Sequence, residues 1–184
     1  MTIGHVLERP ERVTGAMLLG SYGIMPRVSD GPFSGVRQLT TWVMLRTGAL
    51  GAVTRWVGSN RAATARSMRA LIGDPAQLTD ALMDEIMAAA SRPGGFDAFE
   101  QWQRDQVRWS RLRTDYTPRL ESLKCPALVV HGDGDPGVPV ARARAAAALL
   151  PDARLKIVAG ARHWVQRDQP DVVLDAMAEF LADL

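Results

Sequence analysis

Two short polar segments of the chain carry side chains that could work together as an acid and a base. Asp135 lies in the segment 131–139, which follows a strongly apolar run, and His163 lies in the segment 160–164, which follows another. Their spacing of 28 residues leaves room for one helix and one strand, so the two segments are expected side by side. An aspartate that holds an imidazole in one tautomer and stabilises its cation is the supporting half of a nucleophile-His-acid triad.

The first segment also contains Gly-x-Gly-x-x-Gly between a predicted strand and a predicted helix, the pattern of a dinucleotide-binding loop. Asp133 and Asp135 would lie where the pyrophosphate must bind, and like charges repel there. Pro136 and Pro139 have no amide hydrogen to donate to a phosphate. No acidic residue follows at the end of the next strand, where the ribose would be bound. A nucleotide cofactor is therefore not expected.

A metal site is not expected either. Asp133 and Asp135 have the spacing of a calcium-binding loop, but Val138 replaces the required glycine and Arg144 replaces the required glutamate. Cys125 is the single cysteine, which excludes an internal disulfide framework and a cysteine-based zinc site. This cysteine usage is typical of a reducing compartment, so a cytoplasmic location is expected.

Alternating strands and helices are predicted around both polar segments. Apolar runs at 16–20, 127–131 and 155–159 end in turn residues, and the first two show little polar alternation, as strands buried on both faces of a parallel sheet do. Helical patterns follow at 139–150 and 170–184. This order predicts an α/β fold with a parallel sheet, whose strand ends position the two segments.

The middle of the chain is predicted to be helical. We expect three regions: a first part of the core at 1–36, an all-helical insert at 37–121 and a C-terminal core at 122–184. Within the insert, Asp74 is the predicted N-cap of a helix, with a proline and a capping-box glutamine after it.

Aromatic residues are concentrated in this insert, which holds four of the five tryptophans. Phe99, Trp102, Trp109 and Leu112 fall on one face of a predicted helix. Helix-helix packing is the favoured interpretation of such a stripe. The alternative is the wall of an apolar substrate pocket, with Trp102 and Trp109 as substrate-binding residues.

The segments 123–139 and 160–164, the latter followed by Gln169-Pro170 and a terminal helix, resemble the acid and histidine loops of the α/β-hydrolase fold family. The resemblance implies that Asp135 is the triad acid, that His163 is the general base, and that Asp133 is a neighbour of the acid. It also implies that the insert is a helical lid, a match of position and character only.

The N-terminal segment 9–21 resembles the end of the helix and the strand that follow the nucleophile elbow in that family. The elbow pattern Gly-x-Ser-x-Gly does not occur in the 184 residues. The resemblance therefore implies an incomplete α/β-hydrolase fold: the last three parallel strands with flanking helices and the lid. Such a truncated chain would lack the nucleophile and the oxyanion donors, and one oxyanion donor alone is worth about 10²–10³ in rate. The chain as written is expected to be inactive.

Few residues could replace the missing parts. Ser21 ends the first predicted strand on the same rim as His163, but it lacks the strained elbow that activates a nucleophile. Trp164, beside the predicted base, could line the substrate pocket or simply pack. Cys125 precedes the second strand at the opposite end of the sheet and is interpreted as a small buried residue. His5, on the N-terminal helix, is interpreted as a packing or surface residue.

Two classes of function remain open from the sequence. The first is a hydrolase of esters or thioesters with small apolar substrates. Epoxide or haloalkane chemistry is also open, because some relatives use an aspartate nucleophile with the same His-Asp pair. Perhydrolase or haloperoxidase-type activity is a further alternative. The second is a non-catalytic remnant or interaction module of the same fold.

Composition narrows the list of partners. The net charge of +2 gives no reason to expect nucleic acid, and no apolar run is long enough for a membrane span. The N-terminus does not have the pattern of a secretion signal. The apolar edge at 16–20 would be unpaired in an incomplete sheet, which predicts self-association through that strand.

Overall fold

The computed structural model describes residues 2–184, which form two compact units. The strand unit comprises 2–25, Leu71–Asp74 and Asp115–Leu184, and the helical unit comprises Pro26–Ala70 and Pro75–Thr114. The helical unit begins at Pro26, and within it the amide of Val28 donates to the buried side chain of Gln38. It ends before the 3₁₀-helix Thr117–Ser122, which packs in the strand unit.

The strand unit contains a parallel sheet with the order β1-β2-β3 among the described residues. Its strands are β1 (Ala16–Leu19), β2 (Ala127–Gly132) and β3 (Ala153–Val158). All six residues of β2 are buried, as the uninterrupted apolar run predicts for a central strand. Within residues 2–184, β1 pairs with β2 alone, so its other edge is the one from which self-association is expected.

Helices flank this sheet. α1 (Thr2–Glu8) and a 3₁₀-helix (Pro10–Arg12) precede β1, α7 (Val140–Leu149) connects β2 to β3, and α8 (Val165–Asp168) and α9 (Pro170–Ala182) follow β3. α7 packs on β2 and β3 through small buried residues, Ala143 and Ala146. The main apolar core joins β2, β3, α8 and α9 and contains Leu128, Val130, Val158, Ala161, Val165, Val173 and Phe180. Burial of this core positions the loops at the carboxyl ends of the strands.

The helical unit contains α2 (Ser34–Arg46), α3 (Ala49–Ser59), α4 (Arg61–Leu71), α5 (Asp80–Ser91), α6 (Asp97–Gln106) and a 3₁₀-helix (Pro75–Gln77). Gln38 is fully buried and satisfies the amide of Val28 and the carbonyl of Arg108, two groups far apart in the chain. Among residues 2–184, no helix combines the length and apolar character that crossing a membrane requires.

The α-helix predicted to follow Asp74 does not begin there: a 3₁₀-helix (Pro75–Gln77) comes directly after this residue. Helix α5 begins later, and its N-cap is Thr79, whose side chain accepts a hydrogen bond from the amide of Leu82. The amide of Asp74 donates to the carboxylate of Asp168, which ties this point of the chain to the end of α8.

The predicted helix through Phe99 and Trp109 is also wrong in its second half. α6 ends at Gln106, and the chain reverses in a tight turn in which the amide of Arg113 donates to the carbonyl of Gln106. Trp102 and Trp109 are 42% and 65% exposed, so the interpretation as helix-helix packing fails for them. The Trp102 ring stacks instead on its neighbour Phe99 on the surface.

Candidate active site

The loops that follow β2 and β3 are bound tightly to each other. The carboxylate of Asp133 accepts the amide of Gly160 at 2.8 Å, and the amide of Gly134 donates to the carbonyl of Ala161 at 3.0 Å. At Gly132, a Cβ atom would collide with the backbone carbonyls of the facing loop. Backbone packing of this kind leaves the side chains that project from the two loops in fixed positions.

Asp135 projects from the first loop and its side chain is fully buried. One carboxylate oxygen, Oδ1, accepts the amides of Gly137 and Val138 at 2.7 and 3.0 Å. The other, Oδ2, lies 2.8 Å from Nδ1 of His163. Both oxygens therefore have donors, and the backbone amides fix the direction in which Oδ2 points.

His163 projects from the second loop and keeps about a third of its side chain exposed. Because its Nδ1 donates to a carboxylate, Nε2 is the ring nitrogen that is left to accept a proton. Within residues 2–184, Nε2 makes no hydrogen bond. Gly20, with φ of +51°, lies directly beside this loop, and a side chain there would collide with the His163 carbonyl oxygen.

The hydrogen bond between these two side chains moves both pKa values. Burial by itself would raise the pKa of Asp135, but the hydrogen bonds from His163, Val138 and Gly137 outweigh it and hold that pKa below its ordinary value. The hydrogen bond to Asp135 raises the pKa of His163, although partial burial opposes the change. The contact favours the ion pair, which is the state that a general base passes through after accepting a proton.

A third carboxylate, Asp168 at the end of α8, holds the histidine loop in place. Its Oδ2 accepts the amide of Arg162 at 2.6 Å, and its Oδ1 accepts the amides of Gly73 and Asp74 at 2.8 and 3.1 Å. The side chain is buried and all three donors are backbone groups. Sequence reasoning missed this residue; the local signal was an aspartate five positions after His163, directly before the terminal helix.

The other predicted site residues take no part in the hydrogen bond between Asp135 and His163. Ser21 is half-buried next to Gly20, and within residues 2–184 no hydrogen bond joins Ser21 to His163. Trp164 is half-buried ahead of α8, and its amide donates to the carbonyl of Leu71. Trp102 and Trp109 belong to the helical unit and lie on its surface.

The remaining histidine and cysteine candidates lie away from the two loops. Cys125 is buried just before β2, at the end of the sheet opposite the loops, and His5 is exposed on α1. Among residues 2–184, no group of three or more His, Cys, Asp or Glu side chains could hold a metal ion.

The nucleotide interpretation of the first loop has a direct structural test. A pyrophosphate would need the backbone amides of the glycine-containing loop ahead of α7, yet those of Gly137 and Val138 already donate to Asp135 within that loop. The glycines of the pattern instead allow the close approach of the facing loop and of His163.

Comparison with known proteins identifies the family. The model of the alpha/beta hydrolase family matches residues 4–176. Curated relatives include a non-heme chloroperoxidase of Kitasatospora aureofaciens (43% identical over 53 residues, 28% of this chain and 19% of that protein). An esterase of Escherichia coli is 40% identical over 58 residues, which are 32% of this chain and 23% of that protein. Epoxide hydrolase A of Mycobacterium tuberculosis is 30% identical over 113 residues, which are 61% of this chain and 34% of that protein.

Solved structures show the same fold. The meta-cleavage product hydrolase of Pseudomonas fluorescens IP01 superposes with a TM-score of 0.73 at 21% identity, over 98% of this chain and 60% of its own. A serine hydrolase involved in carbazole degradation gives a TM-score of 0.72 at 20% identity, over 99% of this chain and 59% of its own. The chain therefore spans about 60% of the length of these structures.

This chain belongs to the alpha/beta hydrolase family. It contains three parallel strands of that fold within its described residues, together with the flanking helices and a separate helical unit.

Proposed function

We propose that Asp135 and His163 are the acid and the general base of a nucleophile-His-acid hydrolase that acts on esters or thioesters of small apolar compounds. The observation that carries the proposal is the 2.8 Å contact between Oδ2 of Asp135 and Nδ1 of His163. It is supported by the two amides that fix Asp135 and by the free Nε2 of His163 on the other side of the ring.

In the proposed reaction the nucleophile transfers its proton to Nε2 of His163 as it attacks the carbonyl carbon. Nδ1 keeps its hydrogen bonded to Asp135, whose negative charge stabilises the imidazolium that forms. His163 then returns the proton to the leaving alkoxide or thiolate. Water repeats the sequence on the acyl-enzyme, with His163 again accepting and returning one proton.

The attacking residue does not come from the 184 residues in this proposal. They contain neither Gly-x-Ser-x-Gly nor Gly-x-Asp-x-Gly, and Ser21 follows a strand without the strained turn into a helix that exposes a nucleophile. Without an attacking group and oxyanion donors, the Asp-His pair has little rate to contribute. The 184-residue chain alone is expected to be inactive.

Curated relatives named as an esterase, an epoxide hydrolase and haloperoxidases leave the nucleophile as the deciding residue. A serine would favour ester cleavage, and an aspartate would favour epoxide or haloalkane opening with the same His-Asp pair. Reading the in-frame codons before Met1 for either elbow pattern separates these reactions. A stop codon there would support the non-catalytic alternative instead.

The activity test compares the 184-residue chain with a protein extended in frame to include the elbow. We expect the extended protein to hydrolyse short p-nitrophenyl esters and to lose about 10⁴-fold in kcat on Asp135→Asn. His163→Ala should cost at least as much, whereas His5→Ala, on exposed α1, should leave kcat unchanged. The 184-residue chain should not exceed its own His163→Ala variant.

Two outcomes would contradict the proposal. Esterase activity of the 184-residue chain that disappears on His163→Ala would show that an attacking residue lies within it, and Ser21→Ala would then identify or exclude Ser21. Full activity of the extended protein after His163→Ala would remove His163 from the reaction.

A further inference from the structure

A second histidine, His131, lies beneath the acid loop and has no part in the reaction as proposed. It is the fifth of the six residues of β2, and its side chain is only 1% exposed. Nε2 lies 2.8 Å from the carbonyl oxygen of Val138 and 3.4 Å from Oδ2 of Asp135. Within residues 2–184, its Nδ1 is buried and has no hydrogen-bond partner.

The atoms around the His131 ring determine which of its two nitrogens carries the hydrogen. A carbonyl oxygen and a carboxylate oxygen both accept hydrogen bonds, so the nitrogen that faces them must carry the hydrogen. Nε2 of His131 therefore donates to Val138, and the positive end of the same N–H dipole lies beside Asp135. The donor side of the ring is directed at the loop that holds the acid.

Val138 links the two histidines through its own peptide groups. Its carbonyl accepts from His131, and its amide donates to Oδ1 of Asp135. The other oxygen of that carboxylate, Oδ2, contacts His163. A continuous set of hydrogen bonds thus runs from the buried strand through the acid loop to His163.

Packing alone does not explain a histidine at this position. A leucine or phenylalanine would fill buried space without leaving a polar nitrogen unsatisfied, and an unsatisfied buried polar atom destabilises the fold. Retaining His131 carries that cost at Nδ1, and what it supplies in return is the hydrogen bond to the acid loop.

We propose that His131 is a positioning residue that holds the Val138 peptide so that Asp135 presents Oδ2 to His163. The proposal rests on the proposed function, since it concerns the orientation of the same acid. His131 touches neither substrate nor attacking group in this role and acts only through the acid loop.

The test is a pH titration of the His163 imidazole by NMR in the isotopically labelled 184-residue chain. We expect the wild-type pKa of His163 to lie above its ordinary value and to fall by about half a pH unit in His131→Leu, because the contact with Asp135 loosens. His131→Gln should restore the wild-type titration, since its amide nitrogen lies near the position of Nε2. His131→Asn, whose shorter amide reaches only as far as Nδ1, should resemble His131→Leu.

A core substitution separates positioning from general destabilisation. Val130→Ala opens space on the same buried strand and should lower the urea midpoint while leaving the His163 titration unchanged. The proposal is overturned if folded His131→Leu titrates at or above the wild-type value. Should His131→Leu not fold, identical titrations in the Gln and Asn variants overturn it equally.

Failure of the proposed function would look different. If His163 in the wild-type chain titrates at its ordinary value, or does not respond to Asp135→Asn, then the Asp-His pair itself is absent. A raised His163 pKa that responds to Asp135→Asn but not to His131→Leu removes only the role of His131.

Discussion

Two buried carboxylates of the strand unit and two exposed carboxylates of the helical unit are held in different ways. In the strand unit, buried Asp135 and Asp168 accept hydrogen bonds from backbone amides, whose positions the fold sets. In the helical unit, exposed Asp80 and Asp84 pair with the flexible side chain of Arg61. Amide-bound carboxylates fix geometry, whereas exposed ion pairs are screened by solvent and contribute little to stability. Backbone amides can therefore hold Asp135 in a fixed position against His163, which an exposed ion pair could not do.

The largest expected effect on stability comes from placing a methyl group in the space between the two loops of the strand unit. In Gly132→Ala the new Cβ meets the backbone carbonyls of Ala161 and Arg162, so the loops must separate, and we expect a loss of about 3 kcal/mol or more in the free energy of unfolding. Urea unfolding of Gly132→Ala and of the wild type measures this loss.

Gly35→Ala is the matched control in the helical unit. Gly35 lies in the first turn of α2, and no atom outside its own helix backbone and chain neighbours lies within 4 Å of the place that an alanine methyl group would take. Alanine should therefore stabilise the helix, by up to about 0.5 kcal/mol this close to its end. Opposite signs for the two substitutions support the comparison. A mild effect of Gly132→Ala would show that the loops are not tightly joined.

Removing Asp168 tests the amide-bound carboxylates directly. Asp168→Ala leaves the amides of Gly73, Asp74 and Arg162 without their acceptor, and we expect a loss of about 2–3 kcal/mol in unfolding free energy after water has replaced some of the bonds. Hydrogen exchange at those three amides should accelerate in parallel. Asp175→Ala, on the exposed side of α9, is the control and should change little; equal effects of the two substitutions would contradict the assigned role.

The smallest expected effect is a pH dependence of stability. Because the folded pKa of His163 is raised above 6.5, its contact with Asp135 stabilises fully below that pH and loses its contribution as pH rises through the folded pKa. The pKa of Asp135 is held below 3.8, so the contribution of Asp135 to stability is lost only when pH falls through that lowered pKa. The difference in unfolding free energy between wild type and His163→Gln should therefore be largest between pH 3.8 and 6.5.

Glu100→Gln provides the helical-unit counterpart of that measurement. Arg104 holds the pKa of Glu100 below 4.5, so the contribution of this pair is constant above that pH. Its effect on stability should not change between about pH 6 and 9, where that of His163→Gln declines. A flat profile for His163→Gln would argue against the ion pair.

Local pattern was sufficient to predict the strand unit and the order of its two loops. The uninterrupted apolar run of β2 and the spacing of Asp135 and His163 depend on neighbours within about one helix and one strand. The network around Asp168 was not predictable in this way, because its partner Asp74 is 94 residues distant and both look like ordinary polar residues.

The helical unit was predicted less well for a related reason. Asp74 matched the N-cap pattern of an α-helix, but only a 3₁₀-helix (Pro75–Gln77) follows it, and Thr79 is the N-cap of α5. The aromatic spacing around Trp102 favoured one long helix, but the turn after Gln106 ends it, and no local residue such as proline marks that end. Tertiary contacts overrode propensity in both places.

Leu71–Asp74 belongs to the strand unit although helical-unit sequence lies on both sides of it. The polypeptide therefore crosses between the units four times rather than twice. Anyone who wishes to exchange the helical unit with that of a relative would have to replace two separate segments, Pro26–Ala70 and Pro75–Thr114, and leave Leu71–Asp74 with its hydrogen bonds to Asp168 untouched.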